Sequence, residues 1–213
     1  NRLMRRGVVF SGIGQNVISD AIRQKKPFYV LSGIMPTGDK IHFGTKMVVE
    51  NVAYFQKLGA ETYILVADLE AAATREVSLE QARKRALDFH IPAFIALGLD
   101  PKKTTFYFQS ENVEVMRSTA TFAKKVTLNQ FLALYGGADP GKILGAITQV
   151  ADILYPQFKK RMPGIIPVGV DQVPHLLLAR DIVGRMKSEK FFPPSAIFHK
   201  YTPSLDGSMK MSK

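Results

Sequence analysis

The stretch from Phe28 to Leu69 constrains the fold more than any other part of this sequence. An apolar run from Phe28 to Ser32 leads into a turn rich in glycine and proline. From Ile41, apolar residues recur three and four positions apart, which predicts a helix that ends near Gly59. A second apolar run, ETYILVADLE, follows this helix. The order strand, loop, helix and strand predicts a βαβ unit with a right-handed crossover and a parallel sheet.

The same alternation continues through the rest of the chain. Helices are predicted in SLEQARKRALDFHIPAFIALGL, which a serine caps, in residues 114–135, in PGKILGAITQVADILYPQF and in VPHLLLARDIVGRMK. Further strands are predicted in KTTFYFQ and GIIPVGVDQ. Residues 1–26 are interpreted as a basic helical segment, and FPPSAIFHKYTPSLDGSMKMSK as a proline-rich loop. The predicted fold class is α/β, a Rossmann-like doubly wound parallel sheet with a helical insertion.

Composition limits the classes of function. The net charge of +11 favours an anionic partner such as nucleic acid or nucleotide, the alternative being a basic but otherwise ordinary surface. The sequence has no cysteine, which excludes disulfides, thiolate metal sites and cysteine nucleophiles. Its four histidines lack the spacing of metal ligands, so no metal site is predicted. It contains no run of about 18 apolar residues and no signal peptide, so we expect no membrane span and a cytoplasmic location.

The turn PTGDKIHFGT falls where doubly wound sheets bind their ligands, beyond the carboxyl end of a strand. It places His42 and Thr45 three positions apart, on either side of Gly44, at the start of the predicted helix. A helix N-terminus favours phosphate, and a glycine lets a flat ring lie on the backbone, so this turn suits a nucleotide. It lacks the Gly-Lys-Ser/Thr ending of a Walker loop. The alternative is a solvated turn with a chance histidine.

Polar residues at three other places fit a site at the same edge. Asp171 and Gln172 follow a predicted strand, where Asp171 can accept from ribose hydroxyls or cap the next helix. Gln149 and Asp152 lie three apart on an apolar helix, and we expect them to bond each other or a ligand because buried polar groups require partners. Glu70 ends the second apolar run, where it can bind a ligand ammonium group or serve as a helix N-terminal acid.

The last six residues, SMKMSK, place Lys210 and Lys213 around Ser212. Lysines on a mobile loop can close over a polyphosphate and stabilise the charge that develops on it. A solvated basic tail is the alternative, but the other motifs argue for a site.

Four motifs, Pro-Thr-Gly, His-x-Gly, Val-Asp-Gln and Lys-Met-Ser-Lys, occur here in an order that resembles the class I aminoacyl-tRNA synthetases. The chain is most similar to the tryptophan and tyrosine subclass of that family. The family signature His-Ile-Gly-His corresponds here to His42, Phe43, Gly44 and Thr45. The resemblance implies a catalytic domain over residues 27–213 that ends at the Lys-Met-Ser-Lys loop, after the N-terminal segment 1–26. The anticodon-binding domain that follows in the family would be absent.

Several stretches resemble the tryptophanyl enzymes of archaea and eukaryotes, among them VTLNQFLALYG, IIPVGVDQVPH and FYFQS. The Gln-x-x-Asp helix and LLAR are also similar to tyrosyl enzymes, so tyrosine is the alternative substrate. Leu31 stands where many relatives place a tyrosine in the amino-acid pocket. Val173 and Leu177 replace an aspartate and an arginine that tryptophanyl relatives often carry. With Thr45 and the absence of the signature's final serine, these departures predict reduced activity.

The resemblance also implies roles for the site residues. Glu70, Gln149 and Gln172 would hold the substrate's amino group, and Asp152 would accept the indole N–H or, for tyrosine, the phenol O–H. The residues implied to bind the amino acid are Leu31, Glu70, Gln149, Asp152 and Gln172. Those implied to bind ATP are Gly33, His42, Gly44, Thr45, Gly169, Asp171, Gln172, Met211 and Ser212. Those implied to act in catalysis are His42, Thr45, Lys210 and Lys213.

The implied reaction is attack of the tryptophan carboxylate on the α-phosphate of ATP, which yields an aminoacyl-adenylate and pyrophosphate. ATP would carry Mg²⁺ mainly on its phosphates, tRNA would then receive the amino acid, and the relatives' homodimer is expected. One competing interpretation is another nucleotidyl transferase of the same fold, which would not ordinarily combine Val-Asp-Gln with Lys-Met-Ser-Lys. The other is a non-catalytic, RNA-binding fragment derived from a synthetase.

Overall fold

A six-stranded sheet lies between layers of helices in the computed structural model, which describes residues 1–137, 139–186 and 191–201. The strands are β1 (Val9–Ile13), β2 (Tyr29–Ile34), β3 (Glu61–Val66), β4 (Thr104–Phe108), β5 (Gly164–Gly169) and β6 (Ser195–His199). Their order is β1-β6-β5-β2-β3-β4, and all neighbours are parallel except β1, which runs antiparallel to β6. The chain winds outward from β2 in both directions, so the topological switch point lies between β2 and β5.

Helices connect the strands and cover the sheet. They are α1 (Arg2–Arg5), α2 (Gln15–Arg23), α3 (Phe43–Lys57), α4 (Asp68–Thr74), α5 (Leu79–Arg85), α6 (Ile91–Ala96), α7 (Val113–Ala123), α8 (Leu128–Tyr135), α9 (Pro140–Leu154), α10 (Pro156–Lys159) and α11 (Val173–Arg185). The predicted serine cap is confirmed, since Ser78 and Gln81 form both hydrogen bonds of a capping box at the start of α5. The predicted helical insertion corresponds to α7 through α10, between β4 and β5. None of the helices described is both long and apolar enough to cross a membrane.

Alternate residues of β2 serve the two faces of the sheet, because successive side chains of a strand point to opposite sides. Tyr29 and Leu31 belong to the apolar cluster that includes Val150 of α9. Val30 belongs to the cluster on the other face, with Val52 of α3. Both faces of this central strand are therefore buried, which explains its continuous apolar sequence.

β2 and β5 are paired at their first residues, and this pairing opens a crevice further along. Tyr29 is in register with Gly164, and Val30 with Ile165. The Tyr29 ring lies over Gly164, where a Cβ would be 1.9 Å from its Cζ atom. The Tyr29 hydroxyl donates to the carbonyl oxygen of Ile153 at 2.9 Å, and burial raises its pKa. The packing of Tyr29 on Gly164 holds β2 and β5 together at one end of the strands, and the site lies at the other end.

Two local predictions are wrong. Residues 1–26 are not helical throughout, because Val9–Ile13 forms β1, whose residue Gly12 pairs with Ile197 of β6. The predicted final loop contains β6, and all five of its residues are buried. The prolines at 193 and 194 precede this strand, where they remove none of its ladder hydrogen bonds. The remaining predicted strands and helices are confirmed within a few residues.

Candidate functional site

A cavity of about 910 Å³ opens at the carboxyl ends of β2, β3, β5 and β6, over the switch point. Nine of the predicted site residues line it, namely Gly33, His42, Gly44, Thr45, Glu70, Gln149, Gly169, Asp171 and Gln172. They come from five separate segments of the chain. The fold therefore brings together residues that the sequence places up to 139 positions apart, counting from Gly33 to Gln172.

The first turn of α3 forms one wall of this cavity. His42 is the N-cap residue in extended conformation, its carbonyl accepts from the backbone N–H of Lys46 at 3.1 Å, and Gly44 and Thr45 follow in the first turn. The backbone N–H groups of a first turn have no partner within the helix and favour an anion. His42 is half-buried in the cavity wall, so the alternative of a solvated turn does not describe it.

The loop after β5 forms the facing wall. Val170–Gln172 is a single 3-10 turn, and α11 begins with Gln172 as N-cap and no side-chain capping bond. Asp171 therefore does not cap this helix, which was the alternative role. A Cβ at Gly169 would lie 2.5 Å from Oδ1 of Asp171, so the carboxylate folds back over the glycine. The Gln172 amide accepts from Nε2 of Gln149 at 2.8 Å, which joins this loop to α9.

Asp152 does not line the cavity, and this differs from the predicted contact with the substrate. Its side chain is 1% exposed. Oδ2 accepts from Nε2 of Gln109 at 2.7 Å and Oδ1 from the Tyr107 hydroxyl at 3.4 Å. Neither oxygen bonds Gln149, although the two residues share a helix. Burial, with smaller contributions from the charges of Glu70 and Asp68, raises the pKa of Asp152 to about 7, and the two hydrogen bonds oppose this shift.

Gln109 connects this buried carboxyl to the cavity wall. Its Oε1 accepts from the backbone N–H of Glu70 at 3.1 Å, while its Nε2 donates to Asp152. Glu70 is in the first turn of α4, so it is both a helix N-terminal acid and a lining residue. Burial raises the pKa of the Glu70 carboxyl, and Arg75 opposes the shift. Asp152 thus reaches the site through Gln109 and not directly.

The carboxylate of Asp68 also holds the start of α4 in place. Asp68 is fully buried and accepts from the hydroxyl of Ser110 at 2.6 Å and from its backbone N–H at 3.1 Å. Arg83 approaches the same carboxylate at 3.5 Å. These contacts hold α4, and therefore Glu70, against the turn that follows β4.

Leu31 is also absent from the cavity lining. It packs inside the apolar cluster beneath α9, because the residues of β2 on that face are covered by helices. The predicted contact of Leu31 with the amino acid is therefore not seen in this geometry. Lys210, Met211, Ser212 and Lys213 lie outside the described residues.

Several cavity residues were not among the predicted ones. Tyr135 and His175 both line it, with the tyrosine hydroxyl 3.0 Å from Nδ1 of the histidine. Burial lowers the pKa of His175 to about 4 and raises that of Tyr135 to about 12, so both are neutral at pH 7. His175 lies one helical turn after Gln172, and helical spacing could have identified it. Tyr135 carries no comparable sequence signal.

Cations also reach the cavity. Lys142 at the start of α9 and Lys200 after β6 line it. Lys142 lies 3.1 Å from the Asp139 carboxylate, which caps its helix. Over the described ranges, no three or more His, Cys, Asp or Glu side chains are grouped so as to hold a metal ion. Among the residues that the structure describes, the site therefore combines a helix N-terminus and two ammonium groups with the three carboxylates of Glu70, Asp139 and Asp171.

Comparison with known proteins gives one consistent family. The sequence model of the family described as tRNA synthetases class I (W and Y) matches residues 23–213. The tryptophan–tRNA ligase of Methanocaldococcus jannaschii is 40% identical over 222 residues, which cover 100% of this chain and 60% of that protein. The corresponding ligase of Hyperthermus butylicus is 39% identical over 218 residues, which cover 100% of this chain and 58% of that protein.

Solved structures agree with the sequence comparison. The crystal structure of tryptophanyl-tRNA synthetase from Aeropyrum pernix superposes with a TM-score of 0.91 at 40% identity, covering 99% of this chain and 58% of that one. The enzyme from Encephalitozoon cuniculi, solved bound to tryptophan, gives a TM-score of 0.85 at 25% identity, covering 97% of this chain and 62% of that one. The chain spans less than two thirds of the length of these relatives.

Proposed function

Because this chain belongs to the class I tRNA synthetases of the W and Y family, we propose that it activates tryptophan with ATP to form tryptophanyl-adenylate, for transfer to tRNA. The observation that carries the proposal is the cavity at the switch point. It brings the N-terminus of α3, the Gly169–Gln172 loop and the Glu70 and Gln149 side chains to one space. The names of the relatives favour tryptophan over tyrosine.

The amino acid would lie between α4 and α9. Glu70 offers a carboxylate for the ammonium group, and the bonded pair Gln149 and Gln172 offers further polar atoms beside it. Leu65 and Ala146 line the same cavity and suit an apolar indole ring. Asp152 would act through Gln109, by holding α4 in place.

ATP would lie between α3 and the loop after β5. The first-turn N–H groups of α3 suit its phosphates, and Asp171 suits its ribose. The substrate carboxylate oxygen attacks the α-phosphorus, a P–O bond forms, and the bond to the leaving pyrophosphate breaks. The reaction requires no covalent enzyme intermediate. Positioning the reacting atoms next to each other supplies much of the catalysis. His42 and Thr45 would contact the phosphates.

By family resemblance, Lys210 and Lys213 would stabilise the pyrophosphate, and Met211 and Ser212 would contact ATP. Mg²⁺ would accompany ATP, held mainly by the phosphates. We place the reaction in the cytoplasm, together with tRNA.

We also propose a homodimer. The insertion presents apolar side chains to solvent, including Val113 and Met116 of α7 and Leu144 of α9. α7 and α9 pack on each other, so these side chains lie on neighbouring elements. Exposed apolar groups of this kind mark contact surfaces in oligomers.

ATP–pyrophosphate exchange on the 213-residue chain tests the function, with tryptophan, tyrosine and phenylalanine in parallel. We expect exchange that depends on tryptophan. Exchange with tyrosine alone would reassign the substrate. Absence of exchange with all three would overturn the proposed activity for this chain and favour an RNA-binding fragment.

A further inference from the structure

His199 is a cavity residue for which the proposed mechanism has no role so far. It is the last residue of β6, in parallel register with Gly169 of β5. The residue is 7% exposed and lines the cavity. The sequence pattern predicts a loop at this segment, whereas the structure shows strand β6. The position of His199 at the site therefore depends on the fold.

The hydrogen bond of His199 fixes which ring nitrogen carries the proton. Nδ1 lies 3.1 Å from the backbone carbonyl oxygen of Lys200. A carbonyl oxygen only accepts, so Nδ1 is the donor. Burial lowers the pKa of His199, against that hydrogen bond and the nearby charge of Asp171, so the ring is neutral at pH 7. Nε2 is therefore an acceptor.

This acceptor is buried and has no hydrogen-bond partner within the part of the chain that the structure describes. Buried side-chain polar atoms nearly always have one. A ligand that offers a donor at this point would complete the bonding of the ring.

A second acceptor converges on the same place. A Cβ built on Gly169 would lie 3.6 Å from Cε1 of His199 and 2.5 Å from Oδ1 of Asp171. The imidazole edge and the carboxylate thus both lie beside one glycine. Two acceptors at one point match a group that presents two donors. Phosphates at neutral pH present acceptors, whereas the ribose of a nucleotide presents two adjacent hydroxyls.

We propose that Nε2 of His199 accepts a hydrogen bond from one ribose hydroxyl of ATP while Asp171 accepts from the other. This makes His199 a nucleotide-binding residue that distinguishes ribose from deoxyribose. The inference rests on the proposed function, because ATP must occupy the cavity with its sugar beside Gly169.

Two substitutions separate the role of Nε2 as an acceptor from the hydrogen bond between Nδ1 and the Lys200 carbonyl. In His199→Asn, the amide N–H can replace Nδ1 as donor to Lys200, but no atom replaces Nε2. In His199→Gln, the amide oxygen can replace Nε2. Calorimetry would measure the dissociation constants of ATP, 2′-deoxyATP and 3′-deoxyATP for the wild-type chain and both variants. Unfolding curves without nucleotide would verify that each variant is folded.

We expect His199→Asn to weaken ATP about three- to tenfold, the range of one neutral hydrogen bond. One of the two deoxynucleotides lacks the hydroxyl that His199 binds, and the substitution should leave the affinity for that deoxynucleotide unchanged. His199→Gln should retain most of the preference for ATP over that deoxynucleotide. Because each comparison is between nucleotides on the same variant, a general loss of stability cancels.

An equal loss for all three nucleotides in His199→Asn would overturn the inference. So would a loss that disappears with the triphosphate of purine riboside, which lacks the 6-amino group, because the histidine would then contact the base. The exchange assay on the wild-type chain decides the proposed function separately. A chain that exchanges with tryptophan but shows no ribose dependence at His199 contradicts only this inference. A chain that binds ATP with that dependence but catalyses no exchange contradicts only the function.

Discussion

At the scale of single residues, burial decides the state of the acids around the site. Asp152 is enclosed by Tyr107 and Gln109, and its pKa is raised to about 7, whereas an aspartate in an unfolded chain has a pKa near 3.9. The folded protein therefore holds a proton on Asp152 more tightly than the unfolded chain. Its contribution to stability is fully present below about pH 4 and is lost as the pH rises through about 7.

We predict that Asp152→Asn stabilises the protein at pH 8 by about 2 kcal/mol, because it removes a buried charge that neighbours Glu70 and Asp68. The gain should shrink as the pH falls toward 5. Urea unfolding of both proteins from pH 4.5 to 8.5 would measure it. Asp20→Asn, at an exposed position, serves as the control. A difference that stays constant over this range would show that Asp152 is ionised in the folded protein throughout.

The residue scale is also where sequence reasoning was least complete. Gly169, Asp171 and Gln172 could be predicted, because any residue just after a parallel strand lies at the ligand-binding edge. The burial of Leu31 and Asp152 away from the cavity could not be predicted, because which side of a strand or helix faces a cavity depends on the elements packed against it. His199 could not be found at all without knowing that its segment is a strand.

At the scale of elements, α4 depends on the turn after β4 for its position. Gln109 is one connection, beside the Asp68–Ser110 contact, since it accepts from the backbone N–H of Glu70 and donates to Asp152. The side of the cavity that we propose binds the amino acid therefore depends on a residue that does not line it.

We predict that Gln109→Leu raises the KM for tryptophan about tenfold and changes the KM for ATP less than twofold, because it removes the hydrogen bond to the Glu70 N–H and leaves α3 intact. Exchange kinetics with each substrate varied in turn would measure both constants. Gln130→Leu is the matched control, since Gln130 is half-buried, bonds Asp181 and Arg185, and does not line the cavity. Equal increases in both constants for Gln109→Leu would indicate general loss of structure instead.

The elements that the sequence predicted and those it missed differ in a physical way. β2 and β5 are runs of apolar residues followed by turn signals, so local pattern identifies them. β1 and β6 stabilise each other across almost the whole chain, with Val9 opposite His199. Neither segment has a strong strand pattern of its own, and prolines near β6 favour a loop interpretation. Pairing between such distant segments is information that a local window does not contain.

At the scale of the whole molecule, the helical insertion is the surface that we propose as the homodimer contact. Its exposed apolar side chains include Leu144, which is 62% exposed. Such a group is stabilised by burial against another chain, by roughly 25 cal/mol for each Å² removed from water.

We predict that Leu144→Glu converts a dimer into a monomer at micromolar concentration, because the interface would have to bury an unpaired charge. Sedimentation velocity of the wild-type chain and the variant would measure the change. Leu87→Glu is the control, since Leu87 is 54% exposed in the π-helical turn between α5 and α6, outside the insertion. A wild-type chain that sediments as a monomer, or dissociation by both variants, would contradict the proposed interface.

The short pairing between β2 and β5 has a thermodynamic consequence for the whole chain. The two strands are in register at Tyr29 and Val30, and the cavity lies beyond. A substrate in the cavity would contact both β2 and β5 beyond their paired residues, and would therefore add contacts between the two halves of the sheet. Ligand binding and the cohesion of the sheet are then linked quantities, and occupancy of the cavity should slow the opening of both halves together.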